Sequence, residues 1–437
     1  MSVVYYYLGA YVLLLLLVSY FLSRRQSEED FLIGSRNRGG WQILFTKFAS
    51  VVGAAYFITY TGFAYEYGAG VFALLIGMVG GYLLFAFWAA PKIYADSKEK
   101  KFYTMGDYVY HRTGNMFTLK LTNILSNVII FFWLLIGIVG GAKIISDFGM
   151  MSYGAAVLLT VVVILSYVYL AGYKAVIITD VIQSIIILAL LFLVTFSIIG
   201  SGSFSSLLAV ETGTVGLDVV LGFFLFGLLA GFSFSNLFQL CYAAKTEKKL
   251  KYGIGLAIIP ILVVMFLLLL LGLFMASNAS GLDSGLVFTA ALKNFLPASL
   301  LPFAIVLFFA GIMSSADTSV YTISSHYVLS NKDRSLFPVK SIRMASIILM
   351  IITTTIALIF RDIVDVSILT GGVSLTLSFP MLYILMNGKS SRRFVGSAIG
   401  GLIGLVVGVA LLGMEPVIAL PVLAGGIIGL LWNFGKK

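Results

Sequence analysis

The sequence is poor in the residues that carry most catalytic and metal chemistry. A single cysteine, Cys241, excludes an intrachain disulfide. Two histidines, His111 and His326, stand too far apart in sequence to suggest a structural zinc site. Charged residues make up only 11% of the 437, and only 18 are acidic. So little charge excludes a disordered polar chain and is far from the usual composition of soluble domains. What replaces it is apolar: 60% of residues are hydrophobic and the mean hydropathy is +1.06. Apolar runs of about 20 residues recur, the length one helix needs to cross a hydrocarbon layer of roughly 30 Å. The expected class is therefore an all-α integral membrane protein.

Thirteen spans are expected: 3–23, 42–66, 70–95, 117–146, 152–172, 174–201, 216–244, 250–276, 299–330, 338–360, 363–388, 391–413 and 416–433. The opening "MSVVYYYLGAYVLLLLLVSYFLSRR" reads as a retained first span, since a basic leader and a small-residue cleavage site are missing from it. The net charge of +10 is a topology signal and gives no reason to expect a nucleic-acid partner. With the N-terminus outside and the C-terminus cytoplasmic, all but three of the 28 Lys and Arg fall on the inner side, the exceptions being Lys143, Lys293 and Arg361. The expected location is the cell membrane, with lipid as the surrounding partner. Between spans 3 and 4, "TMGDYVYHRTG" reads as an amphipathic cytoplasmic helix, and "ASNASGLDSGLVFTAALKNFLPAS" before span 9 has room for a short outer helix.

Ionisable groups within a span are costly, and each is a candidate for function. Two acids qualify, Asp180 in "AVIITDVIQSIIIL" and Asp317 in "AGIMSSADTSVYTISSH". At 1.5 Å per residue, Asp180 lies about 9 Å inward of Lys174, and Asp317 about 26 Å from the outer end of span 9. The two carboxylates therefore share one level in the inner third. Around Asp317, the hydroxyls of Ser314, Ser315 and Thr318 join the Gly311 carbonyl in a strip with helical spacing. Hydroxyls and carbonyls with one or two carboxylates suit a hard monovalent cation, although Ser and Thr also serve as ordinary helix glue.

Spans 2 and 7 carry glycine and small polar residues at mid-span, in "KFASVVGAAYFITYTGFAYEYG" and "LLAGFSFSNLFQLCYAAK". A helix unwound at that depth is tolerated where it lines a cavity, and its freed carbonyls can hold a cation. The two spans open two five-span blocks, 2–6 and 7–11, that enter from opposite sides, as an inverted repeat requires. Residues 49–52 fall at the level of the two aspartates.

At these positions the chain resembles the sodium:solute symporter family, which contains the sodium-coupled sugar, proline and sialic acid carriers. The resemblance runs through "DFLIGSRNRGGWQ", "TGFAYEYG", "GYKAVIITDVIQ", "QLCYAAKTEKK" and "AGIMSSADT", in order along nearly the whole chain. It implies a LeuT-type, APC-like fold with a five-plus-five inverted repeat. A single transporter domain over 1–437 would comprise an extra N-terminal helix and loop (1–41), the repeats 42–201 and 216–388, and two extra helices in 391–437. It also implies sodium, held by the carbonyls of Ala49, Val52 and Gly311 and the hydroxyls of Ser314 and Ser315. A second sodium site, present in some members, would fall on Asp180, Ser314, Asp317 and Thr318. Leu240 stands where the family often has arginine, which puts the inner anchor of span 7 in question.

The function so implied is sodium-driven uptake of a small organic solute by alternating access. The solute pocket is expected between spans 2, 4, 7 and 11, with Tyr56, Thr59, Asn127, Ser233, Ser235, Asn236 and Thr370 as candidate lining. Val51 and Tyr56 occupy the positions of sugar-contacting residues in galactose carriers, which disfavours a sugar. No Lys or Arg is counted at mid-membrane depth, so a neutral or zwitterionic, amino-acid-like solute is expected. A proton-coupled carrier using Asp180 or Asp317, or a transport-inactive sensor of the same fold, would share these features. An enzyme would need a convergent acid, base or nucleophile cluster. The deep polar groups have no His or Lys beside them, which argues against one.

Overall fold

The computed structural model describes residues 2–24, 27–200, 215–330 and 338–432. The outer connection expected at 201–214, part of the inner connection at 331–337 and the tail from 433 lie outside the described residues. Among the described residues all regular structure is helical, apart from one isolated bridge between Arg38 and Ala244. In a bilayer this follows from the backbone, whose N–H and C=O groups find partners within a helix and none in lipid.

Nine described helices are long and apolar enough to cross a membrane, and the bent pair Leu217–Ser233 and Ser235–Ala243 makes a tenth. Shorter apolar helices occupy Tyr6–Phe21 and Pro416–Leu431. Met116–Asp147, Leu301–Leu329 and Val364–Leu385 are the most buried, whereas Pro338–Ile359 and Ser391–Leu412 are the most exposed. Polarity follows burial. Helix Leu301–Leu329 carries the buried Ser314, Asp317, Thr318 and Thr322, while Pro338–Ile359 turns Ile348, Ile351 and Ile352 outward.

Both expected breaks are present. Span 2 is two helices, Gly40–Val51 and Ala54–Tyr67, separated by Val52 (φ −86°, ψ 69°) and an extended Gly53. Span 7 breaks at Phe234, which is extended, and its halves meet at 46°. Spans 5 and 6 form Tyr153–Gly200 with a turn at Gly172, whose φ of +56° suits glycine. Span 3 runs from Phe72 to Lys100 and contains a π-turn at Phe85–Ala89.

Spans 3 and 7 approach closely through small residues. A Cβ added to Gly77 would meet the Phe224 carbonyl at 2.2 Å, and one on Gly227 would meet the Leu74 carbonyl at 2.2 Å. Close backbone approach is how helices pack without a hydrophobic driving force.

The expected inner helix is Met105–Thr113, started by a capping box between Thr104 and Asp107. Asn123 of span 4 fixes it, accepting from Gly106 N at 2.8 Å and donating to Thr104 Oγ1 at 3.1 Å. The short helix expected on the outer side is Val287–Phe295. Two of the three bases expected outside are neutralised by acids, Lys143 by Asp283 at 3.0 Å and Lys293 by Asp147 at 2.7 Å. Arg361 lies over the Tyr153 ring.

Candidate functional site

The break in span 2 sits directly against span 9. Ser314 Oγ lies 3.3 Å from the Ala49 carbonyl and 3.0 Å from the Gly311 carbonyl. Ser315 Oγ lies 3.5 Å from the same Gly311 oxygen. A Cβ on Gly53 would come within 2.3 Å of Ser315 Oγ and 3.0 Å of the Gly311 carbonyl, so only glycine lets the unwound segment come this near. Ala49, Val52 and Ser314 are buried. The structure thus brings together Ala49, Gly311, Ser314 and Ser315, with Val52 at the break itself. A hydroxyl has one proton, yet Ser314 has two carbonyl oxygens within reach. Such a cluster of surplus oxygens fits a hard cation.

Asp317 lies on the other side of Ser314. Its Oδ2 accepts from Tyr167 Oη at 3.0 Å and from Thr179 Oγ1 at 3.3 Å, and its Oδ1 accepts from the Thr318 amide at 2.5 Å. Thr318 Oγ1 donates to the Ser314 carbonyl at 3.3 Å, which joins the two groups. Asp180 is also fully buried, near enough to Asp317 to feel its charge. Both Asp180 oxygens lack a well-formed hydrogen bond, although the Thr46 hydroxyl stands beside them. Ser184, one turn on, bonds the Asp180 carbonyl at 2.6 Å and the Phe45 carbonyl of span 2 at 3.1 Å. Two buried carboxylates that feel each other's charge gain from a cation or a proton held nearby.

Two small cavities lie deeper among spans 2, 3, 4, 7, 9 and 11. The outer, about 50 Å³, is lined by Tyr56, Thr59, Tyr60, Tyr82, Ser367 and Ser374 among others. The inner, about 40 Å³, includes Lys47, Ser50, Asn236, Ser315, Thr318 and Thr322. Tyr56, Trp133 and Phe234 line both and so divide them. Tyr56 stacks on Trp133 at 5.3 Å and on Tyr60 at 4.8 Å. Of the expected solute contacts, Tyr56, Thr59 and Asn236 line these spaces. Thr59 is bonded to Ser367 at 3.0 Å. Ser233 and Thr370 instead bond their own helices, at Ala230 and Val366, and line neither cavity. Asn127 and Ser235 also line neither, and each keeps a buried oxygen without a partner.

One expectation is overturned: a lysine does stand within the bundle. Lys47 is only 1% exposed, its Nζ lies 3.9 Å from the centre of the Tyr82 ring, and it lines the inner cavity. Counting basic residues by side had assigned it to the cytoplasmic group, because it lies near the inner end of span 2. The local spacing nonetheless holds the signal, for Lys47 sits inside the apolar run "ILFTKFASVV".

The inner end of span 7 is anchored without the family's arginine. Gln239 accepts from Thr322 Oγ1 at 3.0 Å and donates to Ser325 at 3.3 Å. Arg38 N donates to the Ala243 carbonyl at 2.9 Å, and Lys245 N to the Arg38 carbonyl at 3.0 Å. Leu240 is simply buried.

Comparisons with known proteins bear on the family and the fold. The profile of the sodium:solute symporter family matches residues 31–369. The sodium/pantothenate symporter of Haemophilus influenzae is 26% identical over 168 residues, a match spanning 38% of this chain and only 35% of that protein. Among solved structures, a Na+-coupled sialic acid symporter in its substrate-bound outward-open state superposes with a TM-score of 0.77 at 17% identity, covering 98% of both chains. A nucleobase-cation-symport-1 family transporter in a closed conformation gives 0.63 at 11% identity, over 93% of this chain and 95% of that one. The structural matches speak to the fold, and the profile, which covers more than half of the sequence, places the chain in the sodium:solute symporter family.

Proposed function

We propose that the protein is a sodium-coupled secondary symporter of the cell membrane that imports a small organic solute by alternating access. The observation that carries this reading is the unwound Val52–Gly53 segment seated against the hydroxyls of Ser314 and Ser315. Sodium is the cation proposed there, with Ala49, Val52, Gly311, Ser314 and Ser315 as ligands. Binding between span 2 and span 9 holds the two together and favours the state open to the solute. Sodium and solute drive the cycle only through their different affinities for its two states. Each sodium entering at 100 mV contributes about 2.3 kcal/mol before its concentration ratio is counted.

The reading includes thirteen spans, a five-plus-five inverted repeat over 42–201 and 216–388, and an external N-terminus. The breaks in spans 2 and 7, the first helices of the two blocks, support the repeat. The solute would lie where Tyr56, Thr59 and Asn236 meet the two cavities, and is neutral or zwitterionic, amino-acid-like more than sugar-like. Asp180, Asp317, Ser314 and Thr318 are proposed to hold a second sodium. The unpartnered Asp180 carboxyl favours one other reading, in which a proton takes that place.

The test is uptake of candidate radiolabelled solutes into proteoliposomes, with an inward sodium or proton gradient. Sodium-driven uptake that disappears in Ser314→Ala with Ser315→Ala is expected. Uptake indifferent to sodium and retained in that variant would remove the proposal, and uptake driven by protons alone would favour the other reading.

A further inference from the structure

We infer that the transported solute carries a carboxylate and that Lys47 receives it, an inference that rests on the symport reading above and adds the charge class of the solute. Lys47 lies in the helix Gly40–Val51, little more than one turn before the break. Its side chain is buried, and among the described residues it makes no hydrogen bond and no ion pair. Neither Asp180 nor Asp317 pairs with it, so it is not the internal counter-ion of the acidic pair. Its close partner is the face of Tyr82, which offsets only part of the cost of taking an ammonium out of water. A buried cation so placed gains most from an anion that arrives with the solute.

The surroundings match a carboxylate. Asn236 lines the same inner cavity, and its side-chain amide can donate to a carboxylate oxygen that Lys47 leaves free; Ser50, Ser319 and Thr322 add polar lining, their hydroxyls donating to the Lys47 and Ser315 carbonyls and to Gln239. Asn236 belongs to the second half of broken span 7, and its buried side-chain oxygen has no partner. Beyond the dividing wall of Tyr56 and Trp133, the outer cavity is walled by Tyr60, Phe63, Phe226 and Tyr82. This polarity orients a solute with its acid group inward and its apolar or ring-stacking body outward. Cavities of about 40 and 50 Å³ hold a few waters. The solute therefore displaces the Tyr56 and Trp133 side chains and merges the two spaces.

The experiment measures thermal stability of the purified full-length protein in sodium against a panel of small carboxylic acids at neutral pH, each paired with its primary amide. At least one acid should stabilise the protein, and its amide should bind about tenfold more weakly or worse. Lys47→Met should bring the acid down to the level of its amide, and Lys47→Arg should keep part of the preference. The inference is overturned if no acid binds, if amides match acids, or if Lys47→Met retains the affinity for the acid. The acid and amide comparison on the unmodified protein holds whether or not the variants fold. Stabilisation by sodium alone, compared between the unmodified protein and Ser314→Ala with Ser315→Ala, tests the coupling separately. Equal stabilisation of both proteins by sodium, with the acid preference intact, would remove the sodium reading and leave Lys47 in its role.

Discussion

Gly53 shows how closely one residue can control the candidate cation site. Its missing Cβ leaves room for Ser315 Oγ, which a side-chain carbon would meet at 2.3 Å. Gly53→Ala should therefore separate span 2 from span 9 and weaken sodium binding by about tenfold or more, a loss of about 1.4 kcal/mol, readable in a sodium titration. Tyr167 offers a second test, since its hydroxyl donates to Asp317 and contacts the Met313 carbonyl at 3.1 Å. Tyr167→Phe removes one hydrogen bond to a carboxylate, worth about 1.5–3 kcal/mol. If Asp317 serves a second sodium, the variant should lower the cooperativity of sodium-dependent uptake; unchanged cooperativity would count against that site. The burial of Asp180 and Asp317 was readable in sequence because a charge in a span stands out against apolar neighbours. That of Lys47 was less so, since a basic residue near a span end counts equally well as an interfacial anchor. The hydroxyls of Ser233 and Thr370 show a related ambiguity, each bonding its own helix. A polar residue mid-span satisfies its own helix as readily as a ligand, and only the rotamer distinguishes the two.

The breaks in spans 2 and 7 could be anticipated from glycine and small polar residues at mid-span, and so could the helices Met105–Thr113 and Val287–Phe295. The 46° angle of the break at Phe234 and the π-turn at Phe85–Ala89 had no sequence signal. The contact between spans 3 and 7 is equally hidden, as glycine in a membrane helix marks a turn, a hinge or a tight packing point alike. At this contact Gly77→Val should force the helices apart and destabilise the protein by about 1–3 kcal/mol. Thermal unfolding of the purified protein would show it, and an unchanged midpoint would mean that the two helices adjust freely.

Among the described residues, two acids and a lysine are buried inside the bundle, and some of the charges at the helix ends are paired, such as Lys143 with Asp283 and Lys293 with Asp147. The orientation proposed for the chain can be read directly. In a Cys241→Ala background, a cysteine at Asp283 should react with a membrane-impermeant maleimide added to intact cells, and one at Glu247 should not; both positions are exposed. The reverse labelling pattern would invert the topology. The helical class and the oxygen strip of span 9 were accessible from sequence, because hydropathy and helical spacing report on one helix at a time, and the family was accessible through the motifs that resemble it. The solute was not, because the cavities proposed to receive it are assembled from several helices whose facing residues are far apart in the chain. The central claim is that sodium binds where broken span 2 meets span 9. Equilibrium binding of radioactive sodium to the purified protein tests it most directly. Saturable binding should appear in the unmodified protein and weaken by about tenfold or more in Ser314→Ala with Ser315→Ala. Equal sodium binding by both proteins would contradict it.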